Sequence, residues 1–290
     1  MTPDRLIVLC AAFVAVAAGA QDRPGTIEVQ TIAENLFLLT GGRNNTPVLV
    51  TDLGVVVIDP GSAEIGPAVR AAIQRLTSKP VITIIDSHSH GDHTGGNDLY
   101  GTAVDIVAHE RTRKNMEKGG AFGPGSRNFL PKLMFRNGMS LGTGRTRIVL
   151  HYFGRGHTNG DAWVVFPALG VAYAGDMFPG RELPAIDGSQ GGSGLEYLES
   201  LERAAAALRD VDVFVTGHAG VLRRVDFDDF VAVTREFRDV VIDGFNRGMS
   251  VDEVITSWNA NAPTRFRAAP PERVRSNVEY MFSELAHPID

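Results

Sequence analysis

A chain of 290 residues that is 43% hydrophobic can bury a sizeable core, in one large domain or two small ones. Its formal charge of -6 and pI near 5.8 argue against a nucleic-acid partner, because counterion release from phosphates needs clustered Lys and Arg. The sequence carries no internal repeat and no low-complexity tract.

Residues 1–20 read as a secretory signal peptide. Arg5 supplies a positive start, residues 6–18 an apolar core, and Ala18-Gly19-Ala20 a small-residue cleavage site before Gln21. The apolar run is short for a membrane span and has no basic stop-transfer flank, so no stable membrane anchor is expected after cleavage. Cys10, the single cysteine, lies inside this segment behind Leu9, where a lipoprotein site wants Gly or Ala. The mature chain, residues 21–290, is expected to be exported to the periplasm or secreted. Having no thiol, it must hold any metal through nitrogen and oxygen.

β-Branched and aliphatic residues over 27–39 and 48–58, broken at Gly41-Gly42 and Asp52-Leu53-Gly54, predict early strands that end at Asp59-Pro60-Gly61. Apolar residues at helical spacing over 65–76, stopped by Lys79-Pro80, predict a helix leading into a strand at 81–85. The pattern then predicts a short helix at 94–100, a strand at 104–108, a basic helix at 110–118, and strands at 147–152, 162–166 and 171–173. Gly119 to Gly125 has the composition of a flexible loop. Next come a helix at 195–208, with Ser193 and Glu196 at capping-box spacing, and a strand at 211–215. Helices at 227–245, 251–258 and 272–285 complete the chain, the middle one opened by Ser250 and Glu253. Two half-sets of strands alternating with helices predict a single layered domain with a helical C-terminal part.

Directly after the strand at 81–85 stands His88-Ser89-His90-Gly91-Asp92-His93, where His88, His90, Asp92 and His93 are all strong metal-binding side chains. One zinc cannot use them all comfortably. On a looped segment His88 and His90 can point to one side, while Gly91 lets the chain turn Asp92 and His93 toward a second point. Three candidates follow at wide spacing: His157 in Gly156-His157-Thr158, Asp176 in Ala174-Gly175-Asp176, and His218 after Gly217. His and Asp without Cys suit a borderline or fairly hard divalent ion, zinc first, with manganese or iron as alternatives. A pair of ions about 3.5–4 Å apart can lower the pKa of a shared water and stabilise the oxyanion formed when it attacks a carbonyl or phosphoryl group. The implied reaction is hydrolysis.

These motifs, in this order and with Asp59-Pro60-Gly61 upstream, resemble the metallo-β-lactamase-fold hydrolase superfamily over nearly all of the mature chain. The resemblance implies an α+β fold, an αβ/βα four-layer sandwich with the metals at one edge. It implies that His88, His90 and His157 hold a first metal and Asp92, His93 and His218 a second, with Asp176 bridging two zinc ions. Asp92 and Asp176 are then the carboxylates at the catalytic step. The nucleophile it implies is a metal-bridging hydroxide, acting on a small-molecule ester, thioester, lactone or amide.

The best-known class B β-lactamases have Cys where Asp176 stands, and a Lys soon after, whereas this chain reads Asp176-Met177-Phe178-Pro179. The bridging carboxylate resembles the glyoxalase II, lactonase and phosphodiesterase members instead. A class B-like β-lactamase activity is one alternative. Another is a mononuclear-iron sulfur dioxygenase, which would keep only the ligands matching His88, His157 and Asp176. A metal-dependent binding protein is the non-catalytic alternative.

Asp59 divides evenly between orienting a ligand histidine and stabilising its Pro-Gly turn, and Thr158 and Asp161 divide the same way. His109 and His151 fit no ligand position and read as structural or rim residues. Arg111, Arg113, Lys114, Lys118 and Arg127 read as a solvated helix face rather than part of a lid presenting Phe122 or Phe129. Trp163 and Trp258 read as core. Mass analysis of the extracytoplasmic protein should find Gln21 as the first residue, and an intact Met1 in a cytoplasmic fraction would reject export.

Overall fold

The structure, a computed structural model, describes residues 26–119, 126–266 and 269–287, and the segment 1–20 expected to be a signal peptide, Phe122 and the rest of residues 120–125 lie outside them. In the first sheet, β1 (Glu28–Ala33), β2 (Leu36–Thr40), β3 (Thr46–Val50), β4 (Val55–Ile58), β5 (Val81–Asp86), β6 (Asp105–His109) and β7 (Leu133–Phe135) lie side by side in chain order. Pairing is antiparallel from β1 to β4 and parallel from β4 to β7. Parallel neighbours need a crossover. Helices α1 (Gly66–Leu76), α2 (Gly91–Thr94) and α3 (Glu110–Lys118) occupy the three connections.

The second sheet runs β13 (Val221–Arg223), β12 (Val213–Val215), β11 (Val171–Tyr173), β10 (Trp163–Phe166), β9 (Ile148–His151), β8 (Gly138–Leu141). Its one parallel pair, β11 with β12, is bridged by α4 (Gly194–Ala207), while α5 (Arg224–Asn246), α6 (Val251–Asn261) and α7 (Pro271–Ala286) complete the helical layer.

Three apolar cores show that the architecture is four layers, helix on sheet on sheet on helix. Val55 and Val57 of β4 join Val69, Ala72 and Ile73 of α1 on the outer face of the first sheet. Val56 and Ile58, the alternate positions, join Leu150, Val164 and Tyr173 between the sheets. Trp163 and Val165 of β10 face outward again, into a core shared with Leu201, Phe227, Trp258 and Val278 of α4 to α7. Strands buried on both faces need apolar residues at every position, which is why β4 and β10 read as unbroken hydrophobic runs.

The predicted helices are present, α3 with its expected bounds and α5 beginning earlier, at Arg224. The short helix expected at 94–100 is two pieces, α2 and a 3-10 turn at Asn97–Tyr100, so the metal-binding motif itself starts the helix. At α6 the capping box is complete, with Ser250 and Glu253 bonding reciprocally. At α4 only half of it forms, because the Glu196 carboxylate pairs with Arg155 at 2.8 Å. Strands β7, β8 and β13 carried no clear sequence signal. All three are edge strands, paired on one side only, where little burial is needed to hold three or four residues in place.

Among the described residues no helix is long and apolar enough to cross a membrane. Asp59 and the candidate ligands gather at one edge of the sandwich: Asp59 follows β4, His88 follows β5, His157 follows β9, Asp176 follows β11 and His218 follows β12. Asn45 N donates to Gly217 O at 2.7 Å and Ala162 N to Ser87 O at 2.7 Å, stitching the two sheets together at that edge.

Trp163 is 1% exposed and meets Phe153, Phe214 and Phe227 edge-on. Trp163→Ala should lower unfolding free energy by about 3–5 kcal/mol, while Leu53→Ala, at an exposed position, should change it by less than about 0.5. Urea midpoints for the two variants check this, and equal shifts would show that the helical layer is not anchored through Trp163.

Candidate metal centre

The structure brings all seven predicted metal-binding side chains together. His90 is extended, with φ -67° and ψ 145°, and caps the start of α2. The switch from strand to helix at this residue, rather than any glycine conformation at Gly91, sends His88 and His90 one way and Asp92 and His93 the other. Gly91 is helical and has open space around its α-carbon. Gly217 is different, since a Cβ there would lie 2.1 Å from Asp176 Oδ1. Only glycine lets the segment before His218 pass so close to the central carboxylate.

Each histidine ring is held from outside. His93 Nδ1 meets Asp59 Oδ2 at 2.7 Å, His157 Nδ1 meets Ala185 O at 2.7 Å, and His90 Nε2 meets Asp187 Oδ2 at 2.8 Å. His218 Nδ1 meets Arg43 O, and His88 Nδ1 lies 3.0 Å from the Ser87 hydroxyl, which itself donates to Asp59 Oδ2 at 2.6 Å. Every outer partner can accept a proton in a hydrogen bond. The outer nitrogen of each ring therefore carries the hydrogen, and the inner nitrogen turns a lone pair toward the centre.

The inner atoms form two groups. His88 Nε2 and His157 Nε2 each lie 3.0 Å from His90 Nδ1. His93 Nε2 lies 3.4 Å from His218 Nε2, and Asp92 Oδ2 lies 3.7 Å from both. Asp176 stands between the groups. Its Oδ2 is 3.8, 3.5 and 3.2 Å from His88, His157 and His218 Nε2, and its Oδ1 is 3.5 Å from His93 Nε2. Although buried, Oδ1 has no hydrogen-bond partner among the described residues.

Lone pairs aimed at one another across 3.0 Å repel, and a shared cation is what makes such an arrangement favourable. Tetrahedral zinc with bonds of about 2.0–2.1 Å spaces its ligand nitrogens about 3.3 Å apart, close to the spacing here. The donor set therefore fits a hard or borderline divalent ion. Burial, reinforced by the neighbouring His93, pushes His88 well below its ordinary value and keeps it neutral. Burial works to lower His93 too, but the Asp176 and Asp59 carboxylates, with help from Asp92, raise it to about 9. Burial would lift Asp176, yet His93, the nearby His218 and His88 hold it well below the carboxylate range. The cluster attracts positive charge, and a bound cation would release the proton it otherwise draws onto His93.

Asp59 orients the ring of His93, a candidate ligand, which decides its even division, and Asp161 supports the His157 turn by accepting from Thr158 N at 2.8 Å and Thr158 Oγ1 at 2.7 Å. His109 is structural: it donates to Arg136 O at 2.9 Å, caps α3 by accepting from Arg111 N, and stacks on Tyr152, with burial pushing it down to about 4. His151, half-buried and stacked on Phe153, stays outside the cluster. Arg113 bonds Glu117 and Pro131 O, and Arg111 reaches Tyr152 Oη just after β9, so both are engaged in structural contacts. Trp163 and Trp258 are core, as expected.

Asp187 gave no sequence signal, because it sits in a Gly/Ser loop far from His90 in the chain. Its Oδ1 accepts from Ser189 N, Ser189 Oγ and Gln190 N, and Gln190 in turn is bonded to Ser89 inside the metal motif. The loop thereby clamps His90. Asp187→Ala should weaken metal affinity about 10–100-fold by chelator competition, with Asp52→Ala unchanged. An unaltered affinity in Asp187→Ala would show the clamp to be idle.

The profile of the metallo-beta-lactamase superfamily matches residues 39–218. The 2,4-dinitroanisole O-demethylase subunit alpha of Nocardioides sp. (strain JS1661) is 26% identical over 236 residues, covering 78% of this chain and 68% of that one. The metallo-beta-lactamase type 2 of Elizabethkingia meningoseptica is 26% identical over 179 residues, 58% of this chain and 69% of its own. Among solved structures, a metallo beta lactamase from Erythrobacter litoralis superposes with a TM-score of 0.59 at 20% identity, covering 74% of this chain and 98% of that one. A stereoselective inverting sec-alkylsulfatase from Pseudomonas sp. superposes with a TM-score of 0.75 at 13% identity, covering 91% of this chain and 51% of that one. With the family profile spanning more than half of the sequence and including every inward-facing ligand candidate, the chain belongs to the metallo-beta-lactamase superfamily of metal-dependent hydrolases.

Proposed function

We propose that this protein is an exported hydrolase that uses two divalent ions, zinc first, to cleave a small-molecule ester, thioester, lactone or amide. The observation that carries this reading is the placement of Asp176 between two groups of inward-facing donors, His88, His90 and His157 on one side and Asp92, His93 and His218 on the other. When bound there, paired ions lower the pKa of a water and withdraw charge from the oxygen of the bond under attack. Asp176 keeps its negative charge between the two groups. With its Oδ2 turned toward His93 and His218 as a donor, the partly exposed Asp92 would accept on its other oxygen the proton that the attacking water gives up. The outer bonds to Asp59, Asp187, Ala185 and Arg43 fix the rings, so little reorganisation accompanies the reaction.

A one-iron dioxygenase would use only His88, His157 and Asp176. The closeness of Asp92 to His93 and His218 supports a second ion instead. Since two of the relatives are named β-lactamases and one an O-demethylase, the substrate panel includes a β-lactam and a nitroaryl methyl ether beside esters, thioesters and lactones.

Metal analysis of purified protein should approach two equivalents per chain. Asp176→Asn should cut turnover of the best panel substrate about 100-fold or more, while His151→Ala changes it little, with melting temperature recorded for both. One equivalent of iron with oxygen consumption would reject the reading. So would near-normal turnover in Asp176→Asn with two metals bound.

A further inference from the structure

A cavity of about 240 Å³ opens onto the metal-facing groups Asp176 and His218 and is lined as well by Pro179, Ala185, Glu182 and Arg273. Pockets for drug-sized ligands run from about 300 to 1,000 Å³, so this one suits a smaller molecule. Its arginine comes from α7, outside the stretch matched by the family profile.

Arg273 is placed with care. Its helix is tied to the wall of the cavity by Asn277 Nδ2, buried, donating to Pro184 O at 2.8 Å, and Val274 beside it is in the core. Arg273 Nη1 donates to Glu182 Oε2 at 3.2 Å and Leu183 O at 3.4 Å, which fixes the plane of the guanidinium. Nε and Nη2 have no protein partner among the described residues, and the side chain is 30% exposed. Arginine in the first turn of a helix also stands at the positive end of the helix dipole, so helix stability does not explain its position. One edge of the group is used for support. The other offers the two parallel donors that match a carboxylate.

We propose that Arg273 binds the carboxylate of the substrate, so that the preferred substrate is a small ester, lactone or thioester that also carries a carboxylate group. This rests on the hydrolase reading above. The Pro179 and Ala185 wall accommodates a short aliphatic linker between the reacting carbonyl and the acid. Glu182, half-exposed, competes with the substrate for Arg273 and sets how tightly the anion is held. The two residues thus have opposite effects on one class of substrate.

The test compares 4-nitrophenyl acetate, which is neutral, with mono-4-nitrophenyl glutarate, which is anionic, on the zinc-loaded protein. Arg273→Ala should lower kcat/KM for the glutarate ester about 10-fold or more, mainly through KM, and leave the acetate ester within about 2-fold. Arg273→Lys, which keeps the charge but not the fork, should fall between Arg273→Ala and the unsubstituted protein, and Glu182→Gln should improve the glutarate ester alone. Equal effects on both esters, or none on either, would overturn the proposal. Calorimetric titration with glutarate separates the two readings. If neither ester is cleaved yet glutarate binds the unsubstituted protein and not Arg273→Ala, the hydrolase reading fails for esters and the carboxylate site stands. If glutarate binds both alike, or neither, the carboxylate site falls whatever the turnover.

Discussion

The buried carboxylate of Asp59 is the joint on which the sheets and the ligand cluster both depend. Its Oδ1 accepts from Ser87 N at 2.7 Å, and its Oδ2 accepts from Ser87 Oγ at 2.6 Å, His93 Nδ1 at 2.7 Å and Tyr173 Oη at 2.6 Å. The donors come from the turn after β5, from α2 and from β11, so one side chain joins both sheets to a ligand. Its backbone sits at φ 50°, a left-handed conformation that costs on the order of 1–3 kcal/mol for a residue other than glycine. Asn44 Nδ2 and Thr46 Oγ1 both donate to the Asp59 carbonyl and hold it there. Burial and the adjacent Asp59 charge push Tyr173 well above its ordinary value, so the phenol remains a donor. Four protein donors thus meet this buried carboxylate in place of water.

Asp86, a few residues before the ligands, is treated in the opposite way. It is fully buried, its Oδ2 accepts a single bond from Asn97 Nδ2 at 2.9 Å, and its Oδ1 has no partner among the described residues. Burial pushes its carboxyl well above the usual range, and the neighbouring Asp59 pushes the same way. Two aspartates at the ends of adjacent strands are thus supplied differently, one with four donors and the other with one. Burial therefore disfavours the charged form of Asp86, beside a cluster that already holds Asp59 and Asp176.

What could be read in the chain follows from how strongly chemistry restricts residue type. Metal ligands must be His, Asp, Glu or Cys, so His88, His90, Asp92, His93, His157, Asp176 and His218 stood out even at wide spacing. The doubly buried strands stood out because both faces exclude polar residues. Asp59 was half legible, since an Asp-Pro-Gly turn has its own local explanation. Asp187 and Arg273 were illegible, because an acid in a Gly/Ser loop and an arginine in a helical first turn acquire their roles only when the fold brings distant segments together. Strands β7, β8 and β13 were missed for a related reason, being edge strands whose place is set by the neighbour each pairs with rather than by an apolar pattern.

The same outer bonds that orient the rings also couple metal to folding. Turning five rings and two carboxylates into two adjoining groups concentrates repulsion, and the carboxylates around His93 raise its hold on a proton. A proton satisfies one nitrogen. A divalent ion satisfies three or four donors at once, so the folded state gains far more from the metal than the unfolded chain, whose donors are dispersed. The clamp at Asp187 and the joint at Asp59 both lie behind the donors rather than among them. The scaffold therefore bears the ordering cost of the site during folding, and a metal arriving later meets donors already aimed at it.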